Sequence, residues 1–199
     1  MSQYFENDNT IKSQRKKIII KIKDETFELI TDNATFSKDK LDYGTRLLLE
    51  TITSKKLNGK ALDLGCGYGP IGIYLSKKTE LKEIDMIDIN DRALKLAKEN
   101  VKNNKLNNIN IYKSNIYENV EKKYNYIITN PPIRAGKEVL RNILINAKEH
   151  LLEEGELWFV MRKNHGVNSM IKELEKHYNI EIMNKEKGFY IVKCIKEMK

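Results

Sequence analysis

An apolar strand that breaks into glycine at every second position constrains this chain more than any other feature. Ala61-Leu62-Asp63-Leu64 runs into Gly65-Cys66-Gly67-Tyr68-Gly69, and Pro70 then opens a helical pattern over 71–78. Glycines, lacking Cβ atoms, let the backbone approach a ligand closely and adopt conformations closed to other residues. The helix start that follows offers unpaired N–H groups, and Pro70 suits a first turn where no N–H is needed. Such a strand–loop–helix unit belongs to an open α/β sheet. Ligands of these sheets bind beyond the carboxyl ends of the strands, where the strand order reverses.

The rest of the chain fits that architecture. Strand patterns at 61–64, 84–89, 109–112, 126–129 and 157–161 alternate with helical patterns at 71–78, 92–103, 139–152 and 167–177. Such alternation predicts a mainly parallel sheet with helices on both faces. The last two strands, 180–183 and 189–195, are separated only by residues 184–188, too few for a crossover, so they form an antiparallel hairpin. Seven strands result, doubly wound, with an antiparallel end. Upstream, Ile18, Ile20 and Ile22 alternate before Asp24-Glu25, and Phe27 and Leu29 follow, which predicts a small β-hairpin. Residues 44–54 form a helix after it. With 199 residues and no second-domain linker, the chain is expected to be a single catalytic domain over 1–199. Residues 1–16 are expected to be poorly ordered, and 17–59 form a β-hairpin and helix extension.

Gly65, Gly67, Gly69 and Gly72 permit two fingerprints, one of them that of a dinucleotide site. Asp63 decides against it, because an anionic side chain beside a pyrophosphate would repel it, whereas an ammonium group would be attracted. Asp88 follows Gly69 by nineteen residues at the end of the next strand, where a carboxylate can accept the hydroxyls of a ribose. Asn130-Pro131-Pro132-Ile133 then ends another apolar strand. An amine conjugated to a purine or a carbonyl is a poor nucleophile, since its lone pair is delocalised. Two acceptors, the Asn130 side-chain oxygen and the Pro131 carbonyl, can each take one N–H and aim the lone pair, while the prolines stiffen the turn.

The order of these segments resembles a class I S-adenosylmethionine-dependent methyltransferase. More narrowly, it resembles the single-domain branch of the small-subunit ribosomal RNA guanine-N2 methyltransferase family. The likeness covers residues 17–195 and rests on Phe36-Ser37, Leu41-Asp42-Tyr43-Gly44-Thr45, the Asp63 to Gly69 run, Asp88-Ile89-Asn90 and Asn130-Pro131-Pro132-Ile133-Arg134-Ala135-Gly136-Lys137. It implies a Rossmann-like methyltransferase fold, S-adenosyl-L-methionine as cofactor, and RNA, in particular small-subunit rRNA, as partner. By the same resemblance Asp63, Gly65, Cys66, Gly67, Gly69, Asp88, Ile89 and Asn130 line the cofactor site. Asn115 and Ile116 stand where related enzymes, often through an Asp, contact adenine, and an amide oxygen can accept from the adenine amine. Asn130, Pro131, Pro132 and Ile133 would form the catalytic turn. Ile133 departs from the family, many of whose members place an aromatic residue there. The sequence also shows no counterpart of the duplicated N-terminal domain of the longer enzymes.

Net charge is +8, from 36 Lys and Arg against 28 Asp and Glu. That balance suits a polyanion. Lys16, Lys17 and Lys21 (with Lys12, Arg15 and Lys23) crowd one stretch, while Arg134, Lys137 and Arg141 follow the Asn-Pro-Pro turn. Both groups are expected to contact the substrate. Cys66 and Cys194 are the only cysteines, and His150, His165 and His177 show no ligand spacing, so neither a disulfide framework nor a metal site is expected. With no secretory pattern or membrane-spanning run, a cytoplasmic monomer or weak homodimer is expected. Two other functions remain open. One is protein glutamine-N5 methylation, which poses the same chemical problem; the other is a non-catalytic RNA-binding module that keeps a cofactor pocket.

Overall fold

A computed structural model describes residues 13–32 and 40–197. The expectations for residues 1–12, Lys12 among them, and for Phe36 and Ser37 lie outside the described residues.

The strands are β1 (Lys16–Ile22), β2 (Glu25–Thr31), β3 (Asn58–Leu64), β4 (Glu80–Asp88), β5 (Ile109–Lys113), β6 (Tyr124–Thr129), β7 (Leu151–Arg162), β8 (Asn179–Glu186) and β9 (Phe189–Ile195). The helices are α1 (Tyr43–Ile52), α2 (Pro70–Lys78), α3 (Asp91–Asn103), α4 (Lys137–Asn146) and α5 (Val167–Leu174). Strands β3 to β9 form one seven-stranded sheet in the order β5-β4-β3-β6-β7-β9-β8, in which β9 alone runs antiparallel to its neighbours. This is the expected Rossmann-like methyltransferase fold. Strand order reverses between β3 and β6, which pair in parallel with Asp63 opposite Ile128. The glycine loop and the Asn-Pro-Pro turn therefore leave adjacent strands at the same edge of the sheet.

Each face of the sheet carries its own core. On one face lie Leu48, Ile52, Ile73, Leu75 and Ala97 from α1 to α3; on the other are Leu140, Leu144, Met170 and Leu174 from α4 and α5. The β1–β2 hairpin packs its alternating Ile18, Ile20, Ile22, Phe27 and Leu29 into the first of these. Buried Asn100 of α3 fixes its position. It accepts from Ile30 N (2.7 Å) and donates to both Ile30 O and Tyr68 O (2.9 Å each), tying the hairpin to the glycine loop.

Two expected helices are shorter than the sequence predicts. The helix over 139–152 ends as α4 at Asn146 and continues as a 3-10 turn, Ala147–His150, while Leu151 and Leu152 already belong to β7. Leu151 is fully buried opposite Tyr124 of β6, so pairing overrides the helical preference of Leu-Leu-Glu-Glu. The helix over 167–177 ends at Leu174, and Tyr178 turns inward to donate to Leu144 O (2.9 Å) and Ile145 O (3.1 Å). The final hairpin is longer than expected, closing through Lys187 and Gly188, both at positive φ (48° and 78°), which suits a two-residue hairpin turn.

Candidate active site

Asp63, the last residue but one of β3, is fully buried. Its Oδ2 accepts from Gly72 N in the first turn of α2 (2.9 Å), while its Oδ1 is buried with no hydrogen-bond partner. Burial pushes this carboxyl up to about 7, opposed by the Gly72 N–H and reinforced by the nearby Asp88 charge. An orphaned carboxylate oxygen beneath the loop calls for a cationic or N–H-bearing ligand group. The first turn of α2 already has an acid on it, so its N–H groups suit a pyrophosphate poorly.

Gly65 and Gly67 adopt φ of 73° and 56°, and a Cβ on either would meet nothing within 4 Å. The loop is thus open on the side where a ligand would lie. Gly69 (φ 96°) and Gly72 face the protein instead, and a Cβ at either would collide with Met86. Asp88 Oδ2 accepts from Gly67 N (2.9 Å) and Oδ1 from Asn90 N (2.9 Å), so this carboxylate holds the loop in shape. Its burial raises its pKa, and those N–H groups oppose the rise. Each oxygen keeps a lone pair for a further donor such as a ribose hydroxyl. Cys66 is buried, and desolvation drives its thiol well above the usual range, which keeps it protonated and inert.

After β5, Ser114 N donates to Asp88 O (3.1 Å) and Ser114 Oγ to Ile116 O (3.0 Å). They hold Ile116 at φ 52°, a conformation that a β-branched side chain rarely adopts. Backbone strain of this kind concentrates at ligand sites. Asn115 beside it is exposed, and part-buried Ile89 leads into the α3 cap, where Asn90 Oδ1 accepts from Arg92 N (2.9 Å) and Ala93 N (3.2 Å).

Asn130 lies two residues past Ile128 on the neighbouring strand. Its Nδ2 donates to Thr45 Oγ1 (2.9 Å) and Asp42 Oδ2 (3.1 Å). Asp42 is the N-cap of α1, and the same Oδ2 accepts from Thr45 N (3.0 Å). Both amide hydrogens are therefore engaged, which fixes the carboxamide with Oδ1 as the remaining acceptor. Among the described residues, neither Asn130 Oδ1 nor the Pro131 carbonyl has a hydrogen-bond partner. Pro132 O accepts from Ala135 N (3.0 Å), turning the chain through a 3-10 turn at Ile133–Ala135 into α4.

The geometry thus brings two acids and two free hydrogen-bond acceptors to the same edge of the sheet, at the ends of the strands that flank the switch point. The methyltransferase small domain family matches residues 26–193. The chain belongs to that family. A Bacillus subtilis (strain 168) protein described as uncharacterized protein YbxB is 38% identical over 196 residues, covering 97% of this chain and 98% of its own. Ribosomal RNA small subunit methyltransferase C of Psychromonas ingrahamii is 31% identical over 164 residues, which cover 80% of this chain and 46% of that protein. The solved structure of Thermus thermophilus 16S rRNA N2 G1207 methyltransferase with AdoMet and guanosine shares the fold (TM-score 0.82, 20% identity), covering 92% of this chain and 51% of that one. The chain spans about half the length of these two rRNA methyltransferases.

This member of the methyltransferase small domain family uses S-adenosyl-L-methionine. Its site residues fit that cofactor: the orphaned Asp63 oxygen suits the ammonium, Asp88 suits the ribose, and the open faces of Gly65 and Gly67 admit the body of the molecule. Among the described residues no cluster of three or more His, Cys, Asp or Glu is arranged to hold a metal, and no helix is long and apolar enough to cross a membrane.

The sequence-predicted residues do not all converge. Asp63, Gly65, Gly67, Asp88 and the 114–116 loop lie on the β3–β4–β5 side of the switch point, and Asn130 to Ile133 on the β6 side. Arg134 and Lys137 are exposed beside the turn, but Arg141 is paired with Glu173 (2.6 Å). Lys17 pairs with Glu28 (2.8 Å), and Lys16 stands opposite Thr31, next to the Asp32 that binds Arg92 at the start of α3. Lys21 lies toward the other end of the hairpin, whose Asp24 reaches Lys78 at the far end of α2. Sequence reasoning missed Asp42 and Thr45 as site residues. An Asp three residues before a Thr at a helix start signals a cap, but only the fold brings that cap to Asn130.

Proposed function

We propose that this methyltransferase acts on RNA, transferring a methyl group to the exocyclic N2 amine of a guanine in small-subunit rRNA. The observation that carries this is the locked Asn130 carboxamide, whose Oδ1 is left beside the Pro131 carbonyl. When bound, the cofactor supplies an electrophilic methyl on a sulfonium. The protein's part is to position the amine. Asn130 Oδ1 and Pro131 O each accept one N–H, which draws the nitrogen out of conjugation and turns its lone pair toward the glycine loop, where the cofactor would lie. No strong base is required, and orientation supplies much of the rate. Asp63 and Asp88 hold the cofactor end, and the hydrogen bonds of Asp42 and Thr45 keep the amide from flipping. A base-paired guanine must leave its stack to reach Asn130. Arg134 and Lys137 are placed to meet the RNA backbone near it.

The name rRNA small subunit methyltransferase C supports small-subunit rRNA as the substrate, and the name 16S rRNA N2 G1207 methyltransferase supports the choice of guanine N2. We take the chain as one catalytic unit that includes the β1–β2 extension, as the Asn100 bridge supports. The test is transfer of labelled methyl from S-adenosylmethionine to total RNA and, separately, to protein extract, followed by nucleoside analysis. Label in N2-methylguanosine is the expected result. Label in protein glutamine, or binding of RNA with no transfer to either, would replace this function with one of the two alternatives.

A further inference from the structure

Resting on the RNA reading above, we propose that the tip of the β8–β9 hairpin, with the end of β7, is a phosphate-binding surface for the RNA strand flanking the target nucleotide. Arg162, Lys163, Lys185 and Lys187 are brought together there, all exposed. Pairing puts Arg162 opposite Phe189 and Lys185 opposite Tyr190, while Lys163 N donates to Gly188 O (2.8 Å) in the turn. Three of these cations rest on rings. Arg162 lies 4.4 Å from the Phe189 centroid, Lys187 4.6 Å from that of Tyr43, and Lys185 4.8 Å from that of Tyr190.

Those rings connect the patch to the acceptor site. Tyr43 and Phe189 pack at 5.5 Å, and Tyr43 is the first residue of α1, directly after the Asp42 that holds Asn130. Gly44 makes the approach possible, since a Cβ there would come within 2.8 Å of Phe189 Cε1. β6 and β7 are parallel, with Thr129 opposite Phe159, so Arg162 and the hairpin turn lie at the same sheet edge as Asn130.

The charge balance of the hairpin is lopsided. At its other end Lys193 is paired with Glu181 (2.8 Å), and elsewhere Lys60, Lys78, Lys113 and Lys122 all have carboxylate partners. Among the described residues none of Arg162, Lys163, Lys185 and Lys187 has one, and the acid between them, Glu186, is bonded to the Tyr43 hydroxyl. Glu186 keeps its charge, but four cations around one acid leave an excess of like charges that repel each other. Stacked on aromatic faces they are held in place for an anion supplied from outside. Phosphates on either side of a nucleotide seated at Asn130 meet that need.

The test compares two triple variants of the full chain. Lys163→Ala/Lys185→Ala/Lys187→Ala removes three of the four cations of the patch, and Lys95→Ala/Lys98→Ala/Lys102→Ala removes an equal charge from the exposed side of α3. Binding of a short fluorescein-labelled oligoribonucleotide is followed by anisotropy across a salt series, with S-adenosylmethionine affinity as the check on folding. The patch variant should lose about two units from the slope of log affinity against log salt, roughly 0.7 for each single-strand phosphate contact removed. The α3 variant should keep its slope. Equal losses in both variants, or an unchanged slope in the patch variant, overturn the proposal even where the wild type methylates RNA. A wild type that labels protein and not RNA overturns it together with the function on which it rests.

Discussion

Asn130→Asp places an oxygen where Nδ2 now donates to Thr45 Oγ1 and, at 3.1 Å, to Asp42 Oδ2. The hydrogen bond to Asp42 becomes a contact between carboxylates. Two unit charges at about 3 Å repel by roughly 5 kcal/mol at an effective dielectric of about 20. Asn130 is only half-buried, and solvent screening brings this to roughly 2–3 kcal/mol. That repulsion lifts the pH at which the carboxyl introduced at position 130 loses its proton above that of an ordinary aspartate. Below that pH one shared proton restores the bond to Asp42 and leaves a carbonyl oxygen toward the acceptor. Above it, repulsion drives the side chain out of register. The single-turnover rate at saturating cofactor, divided by the wild-type rate at each pH, should therefore climb as pH falls from about 8 to 5.5. Asn130→Ala should stay down by roughly 10²–10³ throughout, as for loss of an oriented hydrogen-bonding group. The sign for stability agrees: a carboxyl with a raised folded-state pKa stabilises at low pH and loses that contribution as pH rises. The melting-temperature gap to wild type should widen over the same range. A flat rate ratio, or an Asn130→Ala enzyme near the wild-type rate, would refute the locked-amide account.

Asp63, held up to about 7 by burial, retains a proton in the folded protein that an unfolded chain releases near pH 4. Without cofactor, the melting temperature should fall as pH rises from about 4 to 7, and Asp63→Asn should make that slope shallower, leaving the part that the raised carboxyl of Asp88 contributes with the same sign; a wild-type curve no steeper than the variant's would contradict the assignment. Gly67→Ala and Gly72→Ala should separate, the first losing cofactor affinity in calorimetry with about 1 kcal/mol of backbone strain, the second losing mainly stability through its collision with Met86. Equal stability losses would mean that the open face of Gly67 is not a ligand face. Asp88→Ala should weaken S-adenosylmethionine binding by about 1–3 kcal/mol and also lower the melting temperature, since Gly67 N and Asn90 N lose their acceptor; tight NAD binding by the wild type would overturn the cofactor-site geometry.

The sheet was readable in the chain because strand and helix periods alternate cleanly from Lys60 onward and because 184–188 is too short to cross over. The glycines and Asp88 were readable because backbone geometry and charge demand those residue types. What the sequence concealed depends on contacts distant along the chain. Leu151 joins a strand because Tyr124 waits opposite it, and α5 stops early because Tyr178 finds carbonyls on α4. Asp42 is eighty-eight residues from Asn130, and nothing in either segment names the other. The lysines that stood out by density, Lys16, Lys17 and Lys21, spread along one hairpin. Arg134 and Lys137 were readable because they follow the turn directly, whereas the cations at the hairpin tip come from separated stretches, Arg162-Lys163 and Lys185 to Lys187, that only the β7–β9–β8 pairing unites.

Asp42 Oδ2 serves two masters at once, the first turn of α1 and the Asn130 amide. Fraying of that turn and misorientation of the acceptor group are consequently one event. Helix ends open locally at far lower free energy than the whole domain, so in the proposed mechanism the fraction of molecules ready to transfer a methyl group would follow the closed population of a single helical turn. Amide hydrogen exchange at Thr45, whose N–H is bonded to the same oxygen, reports that population directly. An RNA strand lying across Tyr43 would damp the opening, and substrate engagement would then complete the acceptor site without any rearrangement of the sheet.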